Sequence, residues 1–365
     1  MELKLRNKQE CLFDEISLGE VLLRFDPGEG RIRCSRDFHV WECGGEYNVA
    51  RALKKAFSMN TAVLTALADS EMGALVRDCL MQGGVDISNV LWREYDGIGR
   101  NCRNGFVMTE RGYGIRGALS FSDRGNTAAS QIQPSEFDWD DIFGRQGTRW
   151  LHTGGVFAAL SPTTAETVIT AVQKAKEYGV TVSYDLNYRA SLWQANGGLE
   201  KCREVNRRIA PYIDVMIGNE EDFTACLGYE VKGNDDKFLA LNLDGYRDMV
   251  QQVMADYPNM KLIATTLRTV KTATVNGWRA ICYDGKTLYR SMSFDDLEVL
   301  DRVGGGDGFA TGLIYGLLQG FELQRALDYG VAHGAHVQTT PGDTSMASEK
   351  EIRSIVEGKG ARVVR

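Results

Sequence analysis

The residues best able to do chemistry lie late in the chain, in Asp301-Arg302-Val303-Gly304-Gly305-Gly306-Asp307-Gly308-Phe309-Ala310-Thr311-Gly312. Three glycines run into Phe309, Leu313, Ile314, Leu317 and Leu318 at helical spacing, which predicts a tight turn opening a helix. Glycines at such a place let main-chain N–H groups crowd around an anion, and the helix dipole favours negative charge there. Asp307 then has two readings. It is a simple N-cap, or it is a general base that deprotonates a hydroxyl attacking phosphorus while the N–H groups carry the transferring charge. A cap needs only one Asp or Ser and leaves the triple glycine unexplained. No Gly-Lys-Ser/Thr follows, so this is not a Walker loop. Phe309 fills the third glycine position of a dinucleotide fingerprint and no βαβ unit opens before it, so it is not that either.

The elements that must position this turn alternate. Val63 to Leu67, Trp150 to Thr153, Val180 to Tyr184, Asp214 to Gly218 and Lys261 to Thr266 read as strands. Helical patterns fall between them: Glu71 to Met81, Tyr246 to Tyr257, and Thr164 to Tyr178 with Ala165, Val168, Ile169, Val172 and Ala175 on one face. Strand-helix-strand repetition implies an α/β fold, a parallel sheet flanked by helices on both faces. Two stretches break the rhythm, about 18–40 and about 98–124, extended or glycine-rich with no helix inside. They are expected to pair as a small β-sheet lid. The polar stretch Gly228 to Asp244 is expected to be a surface loop.

Composition bounds the rest. With 365 residues, 43% apolar and 25% charged, the chain is a folded protein rather than a disordered or rod-like one. A net charge of −7 supplies no sequence-wide cationic surplus, so neither nucleic acid nor an anionic membrane is an expected partner. No apolar run approaches the roughly 20 residues needed to span a bilayer, and the first ten residues lack the apolar core of a secretory signal. The eight cysteines (Cys11, Cys34, Cys43, Cys79, Cys102, Cys202, Cys226 and Cys282) form no C-x-x-C pair, which reads as reduced thiols in the cytoplasm.

Taken together, six segments resemble the ribokinase-like (PfkB) carbohydrate kinases in the family's order: Gly19-Glu20, Gly44-Gly45-Glu46-Tyr47-Asn48-Val49-Ala50, Asp185-Leu186-Asn187-Tyr188-Arg189, Asn219-Glu220-Glu221-Asp222, the glycine turn, and Pro341-Gly342-Asp343. The resemblance spans nearly all of the sequence and implies a single ribokinase-like domain over 1–365. Asp185 to Arg189 with Leu192-Trp193, together with Asp123 to Ala128, is most similar to 2-keto-3-deoxygluconate kinases.

By that resemblance Asp307 is the base, and the amides of Gly304, Gly305 and Gly306 form the anion hole. Gly44, Gly45 and Asn48 meet sugar hydroxyls, while Arg124 and Arg189 hold a substrate carboxylate, which a neutral sugar does not need. Asn219, Thr266, Arg268 and His333 are expected at the nucleotide. Asn219 is also a ready helix cap, Arg268 equally a surface arginine, and His333 equally a satisfied histidine on a helix face. Glu221 and Asp222 are expected to serve magnesium through water.

The implied reaction is ATP- and Mg2+-dependent transfer of the γ-phosphoryl group to a hydroxyl of a small sugar acid, 2-keto-3-deoxygluconate first, in a homodimer joined through the lid. A kinase for a neutral ketose such as fructose or for a nucleoside, and a sugar-binding sensor without turnover, are the alternatives. The chain departs from the family at Val107 and Ser122, where those kinases often carry tyrosines, at Arg302, and in Thr266-Leu267-Arg268-Thr269.

Overall fold

The computed structural model describes residues 3–230 and 243–359. Of the loop expected at 228–244, residues 231–242 lie outside the described residues. In chain order the first elements are β1 (Glu15–Leu18), β2 (Leu22–Asp26), β3 (His39–Cys43), helix α1 (Gly45–Phe57), β4 (Thr61–Leu64), β5 (Ala66–Ala68), α2 (Glu71–Gly83), β6 (Leu91–Arg93), β7 (Phe106–Glu110) and β8 (Leu119–Asp123). Next come β9 (Trp150–Gly154), α3 (Gly155–Ala158), α4 (Pro162–Glu177), β10 (Thr181–Asp185), α5 (Ala190–Ala195), α6 (Gly198–Ile209), β11 (Val215–Ile217), α7 (Glu220–Cys226) and α8 (Leu243–Asp256). The last are β12 (Leu262–Val270), β13 (Val275–Tyr283), β14 (Leu288–Arg290), β15 (Phe294–Glu298), α9 (Gly305–Leu318), α10 (Leu323–Val337) and α11 (Glu349–Val356).

These elements pack as two compact units. The first comprises Met1–Gly19, Ser130–Thr266 and Ile281–Tyr289, within the described residues. Its strands β1, β9, β10, β11 and β12 lie side by side and parallel, with Leu151 opposite both Ile16 and Val182, Ser183 opposite Val215, and Val215 opposite Leu262. A parallel pair needs a crossover; α4, α6 and α8 are the helices of three successive ones. Helix α4 starts where Ser161 accepts from the Thr164 amide and Pro162 pre-sets the first turn. Its predicted apolar face, from Ala165 through Val168, Ile169 and Val172 to Ala175, is buried. At the carboxyl ends of β10 and β11, where α/β sheets bind ligands, stand Asp185 to Arg189 and Asn219 to Asp222.

The second unit comprises Glu20–Ala129, Leu267–Ala280 and Arg290–Arg365, again within the described residues. It contains a separate four-stranded sheet in the order β3-β2-β7-β8, built from the two stretches that lack helices. Strand β3 carries this sheet on to Cys43, beyond the expected end near residue 40. The run expected as one strand from Val63 to Leu67 is divided at Thr65, because Ala66–Ala68 turns away to pair with β6. Val21, Leu23, Tyr47, Ala50, Val63, Leu67, Val76 and Leu80 form one buried core here. Helices α9 and α10 approach so closely that a Cβ on Gly312 would lie 2.4 Å from the Tyr329 carbonyl, and one on Gly334 2.7 Å from the Gly305 carbonyl. No helix among the described residues is long and apolar enough to cross a membrane.

Candidate active site

The glycine turn starts α9 without help from any capping side chain. Gly304 occupies the N-cap with φ +79°, a conformation costly for any residue with a Cβ, and a Cβ there would also sit 2.1 Å from the Asp343 carbonyl. Gly305 lies on the Gln338 side chain, whose carbon a Cβ would meet at 2.9 Å. Gly306 differs, since a Cβ there would meet nothing within 4 Å. Protein packing does not require that glycine; its lack of a Cβ leaves the backbone open to close approach of a ligand. Asp307 is the third residue of the helix, so the capping reading fails.

Asp307 instead receives a hydrogen bond from Asn48, Nδ2 to Oδ2 at 2.7 Å. Asn48 is buried in the first turn of α1, which begins at Gly45 after Gly44. Gly44, at φ +153°, passes the Glu20 carbonyl so closely that a Cβ would lie 2.2 Å from it. While the Asn48 amide nitrogen holds Asp307, its Oδ1 is buried with no hydrogen-bond partner. A buried acceptor left without a donor is costly, and a hydroxyl of a bound ligand is a group able to satisfy it.

Around this pair lies a charged group. Buried Glu20 accepts from the Thr127 hydroxyl at 2.9 Å and pairs with Arg124 at 3.2 Å. Arg124 retains a buried Nε with no hydrogen-bond partner, a donor suited to an anionic ligand. Glu46, buried beside them, has its pKa pushed up to about 8 by burial, aided by the nearby Asp307 charge. Burial thus favours its protonated form, in which it offers a donor rather than a second negative charge.

Further along this unit, Arg268 is half-buried, 5.2 Å over the Trp278 ring, with a hydrogen bond to Gln338 Oε1 at 3.3 Å. Burial, reinforced by Arg302, lowers its pKa to about 10, so it remains a cation. Arg302 itself lines a cavity of about 290 Å³ with Lys271, Thr272 and Asn276. In the first unit, Asn219 caps α7 in a reciprocal box: its Oδ1 accepts from the Asp222 amide and its own amide donates to Asp222 Oδ2, both at 2.9 Å. The other oxygen of Asp222 accepts from the Tyr188 amide at 3.0 Å. Arg189 is exposed and donates to the Tyr188 carbonyl. Thr266 is half-buried at the end of that unit's part of β12, and Glu221 is exposed.

Residues 35–350 match the description "pfkB family carbohydrate kinase". The chain belongs to this family. It is 29% identical over 96% of its length, and 98% of the relative's, to a 2-dehydro-3-deoxygalactonokinase of Haloferax volcanii. It is 27% identical over 79% of its length, and 76% of the relative's, to a 5-dehydro-2-deoxygluconokinase of Geobacillus thermodenitrificans. Among solved structures, a 2-dehydro-3-deoxygluconokinase from Thermotoga maritima superposes with a TM-score of 0.85 at 32% identity, over 94% of this chain and 99% of that one. This kinase is thus an enzyme with the fold its strand-helix rhythm predicts.

Within the second unit of this carbohydrate kinase, the expected Gly304, Gly305, Gly306, Asp307, Gly44, Gly45 and Asn48 come together, with Arg124 beside Glu20. Two other expectations change. His333 is fully buried; its Nδ1–H donates to the Gly308 carbonyl and its Nε2 accepts from the Ser345 hydroxyl, each at 2.7 Å. Burial lowers its pKa to about 4, so the neutral ring braces α9 and has no free nitrogen for a nucleotide. Asp222 spends both oxygens on main-chain N–H groups, so its observed work is to hold the Asn219 and Tyr188 segments together. Among the described residues no three His, Cys, Asp or Glu side chains form a metal cluster. Sequence reasoning missed Arg24, fully buried between Asp301 and Asp343, and the buried Glu46. The signal for Arg24 was an arginine inside the otherwise apolar run Leu22-Leu23-Arg24-Phe25.

Proposed function

We propose that this kinase transfers the γ-phosphoryl group of ATP to a hydroxyl of a 2-keto-3-deoxy sugar acid, with 2-keto-3-deoxygluconate as first choice. The observation that carries the reading is the Asn48–Asp307 hydrogen bond of 2.7 Å behind the glycine turn, together with the unpartnered Asn48 Oδ1. In the proposed step a sugar hydroxyl donates to Asn48 Oδ1 or Asp307. Asp307 takes its proton as the hydroxyl oxygen bonds to γ-phosphorus and the bond to the β-phosphate oxygen breaks, giving ADP and a sugar phosphate. The amides of Gly304, Gly305 and Gly306 stabilise the charge moving onto the phosphates.

Two lines support an acid as substrate. Arg124 keeps a buried donor unpaired, and relatives at 29% and 32% identity bear names of keto-deoxy sugar kinases. Arg189 is proposed as the second carboxylate ligand, and Asn219, Thr266 and Arg268 as residues serving the nucleotide. Magnesium binds chiefly through phosphates and water, with few protein ligands; exposed Glu221 fits a water-mediated role, and the ion would offset charge on the phosphates. Both units are proposed to belong to one kinase domain over 1–365, with the β3-β2-β7-β8 sheet as its lid, in the cytoplasm, where its eight free cysteines stay reduced. A homodimer is proposed through the sheet face that carries Phe25, Val40, Met108 and Phe121, which are opposite one another in register; Val40 and Phe121 there are 42% and 49% exposed.

The test is ATP consumption across keto-deoxy acids, hexonates, ketoses and nucleosides, repeated with Asp307→Asn. Turnover of a keto-deoxy acid that collapses in the variant is expected. Sugar binding without turnover in the wild-type protein overturns the reading.

A further inference from the structure

The strongest feature outside the reacting groups is a buried ionic cluster on β2. Arg24 is fully buried, with Nη2 2.6 Å from Asp301 Oδ2 and Nη1 2.5 Å from Asp343 Oδ1. Asp26, also fully buried, lies 3.5 Å from the same guanidinium. Asp26 also pairs with Arg111 at 3.4 Å, and burying Arg24 among these carboxylates costs desolvation that the pairs do little more than offset. Apolar side chains in place of the whole cluster would make a core about as stable, whereas removing one member strands the others, so the presence of the cluster needs an explanation other than net stability.

Its placement supplies one. Asp301 stands three residues before Gly304; its Oδ1 accepts from the Val303 amide at 3.2 Å and its Oδ2 from the Gly342 amide at 3.3 Å. Asp343 belongs to the loop on which Gly304 rests, with its carbonyl 2.1 Å from where a Gly304 Cβ would be. The planar fork of one guanidinium thus holds both carboxylates that border the turn. Arg24 also sits on the four-stranded sheet, in register with Trp41 and Val107, and the Trp41 ring packs on Gly342.

We infer that Arg24 is a positioning residue for phosphoryl transfer: by fixing Asp301 and Asp343 it sets the main-chain N–H groups of the glycine turn, and it ties that turn to the order of the small sheet. The inference rests on the kinase reading above. Arg24 touches neither sugar nor phosphate in this scheme, so its loss acts on the rate of transfer and not on sugar affinity. A displacement of the turn by even an ångström is expected to cost turnover about a hundredfold.

The experiment compares wild type, Arg24→Lys, Arg24→Met and Asp343→Asn in the full chain, with thermal unfolding measured alongside kcat, KM for the sugar acid, and calorimetric sugar binding without ATP. In protein that is folded at the assay temperature, Arg24→Lys, which keeps the charge but not the fork, is expected to lower kcat by about tenfold or more while the sugar KM and binding constant stay within about threefold. Arg24→Met is expected to fall further, so that lysine counts as partial rescue. If Arg24→Met does not fold, Asp343→Asn gives the same readout with Arg24 still paired to Asp301. Folded variants that keep full kcat at a lowered melting temperature overturn the inference and leave the kinase reading intact. A wild-type protein that phosphorylates no acceptor overturns both.

Discussion

Asn48 and Asp307 are 259 residues apart in sequence, yet the amide of one donates to the carboxylate of the other across 2.7 Å. Under the proposed kinase reading, the side chain that holds the Asp307 carboxylate also offers its unpartnered Oδ1 to the sugar hydroxyl. Asp307→Asn removes the proton acceptor and preserves the shape. It is expected to lower kcat by about a thousandfold, with ATP affinity by calorimetry nearly unchanged. Asn48→Ala removes one hydroxyl acceptor and the hold on Asp307, and is expected to lower kcat/KM by roughly a hundredfold. Full turnover in Asp307→Asn would show that the base lies elsewhere.

The glycines of the turn separate stability from chemistry. Gly304→Ala forces a Cβ into a left-handed backbone and onto the Asp343 carbonyl, and is expected to cost about 2 kcal/mol or more in denaturant unfolding. Gly306→Ala meets open space inside a helix, where alanine is favoured over glycine by up to about 1 kcal/mol. Its melting temperature should hold or rise while turnover drops about tenfold or more, as the methyl group keeps phosphate from the backbone. A Gly306→Ala enzyme with normal kcat would place the anion away from this turn.

What was legible in the chain follows from how local each signal is. The glycine turn, the apolar face of α4 and the runs forming β9, β10 and β11 are contiguous, so residue type and spacing expose them. Burial and long-range pairing are not contiguous. Arg24 looks like a stray arginine in a strand until Asp301 and Asp343, 277 and 319 residues away, close around it. Spacing fitted Asn219 and Asp222 to either a helix cap or a metal-associated pair; only the hydrogen bonds to the Asn219 and Tyr188 amides commit the Asp222 oxygens. Likewise, no pattern in Gly44-Gly45-Glu46 distinguishes a surface glutamate from one buried against Asp307.

Arg124 is the residue whose substitution tests the choice between acidic and neutral acceptors. Its guanidinium is paired to Glu20 on one side and has an unpartnered buried Nε on the other. Arg124→Ala is expected to raise KM for a keto-deoxy acid by about a hundredfold and to move KM for a neutral ketose only a few-fold, since charge-assisted pairs carry roughly 1.5–3 kcal/mol. Steady-state kinetics on the two substrates side by side checks this. Equal losses on both would assign Arg124 to the scaffold around Glu20.

Glu46 gives stability a pH dependence whose sign is fixed by its surroundings. Unfolded, its carboxyl titrates near 4.3; folded, burial first and Asp307 second hold it near 8. Between those values the native state keeps a proton that the unfolded chain has lost. The contribution is therefore fully present below about pH 4 and disappears as pH rises through 8. Between pH 6 and pH 9 the wild-type protein is expected to lose on the order of 3 kcal/mol from this group, whereas Glu46→Gln, which cannot ionise, loses none of it. Denaturant unfolding at pH 6 and pH 9 on both proteins measures the difference. Parallel curves would mean that Glu46 is already ionised at neutral pH and that a cation, rather than a proton, neutralises it.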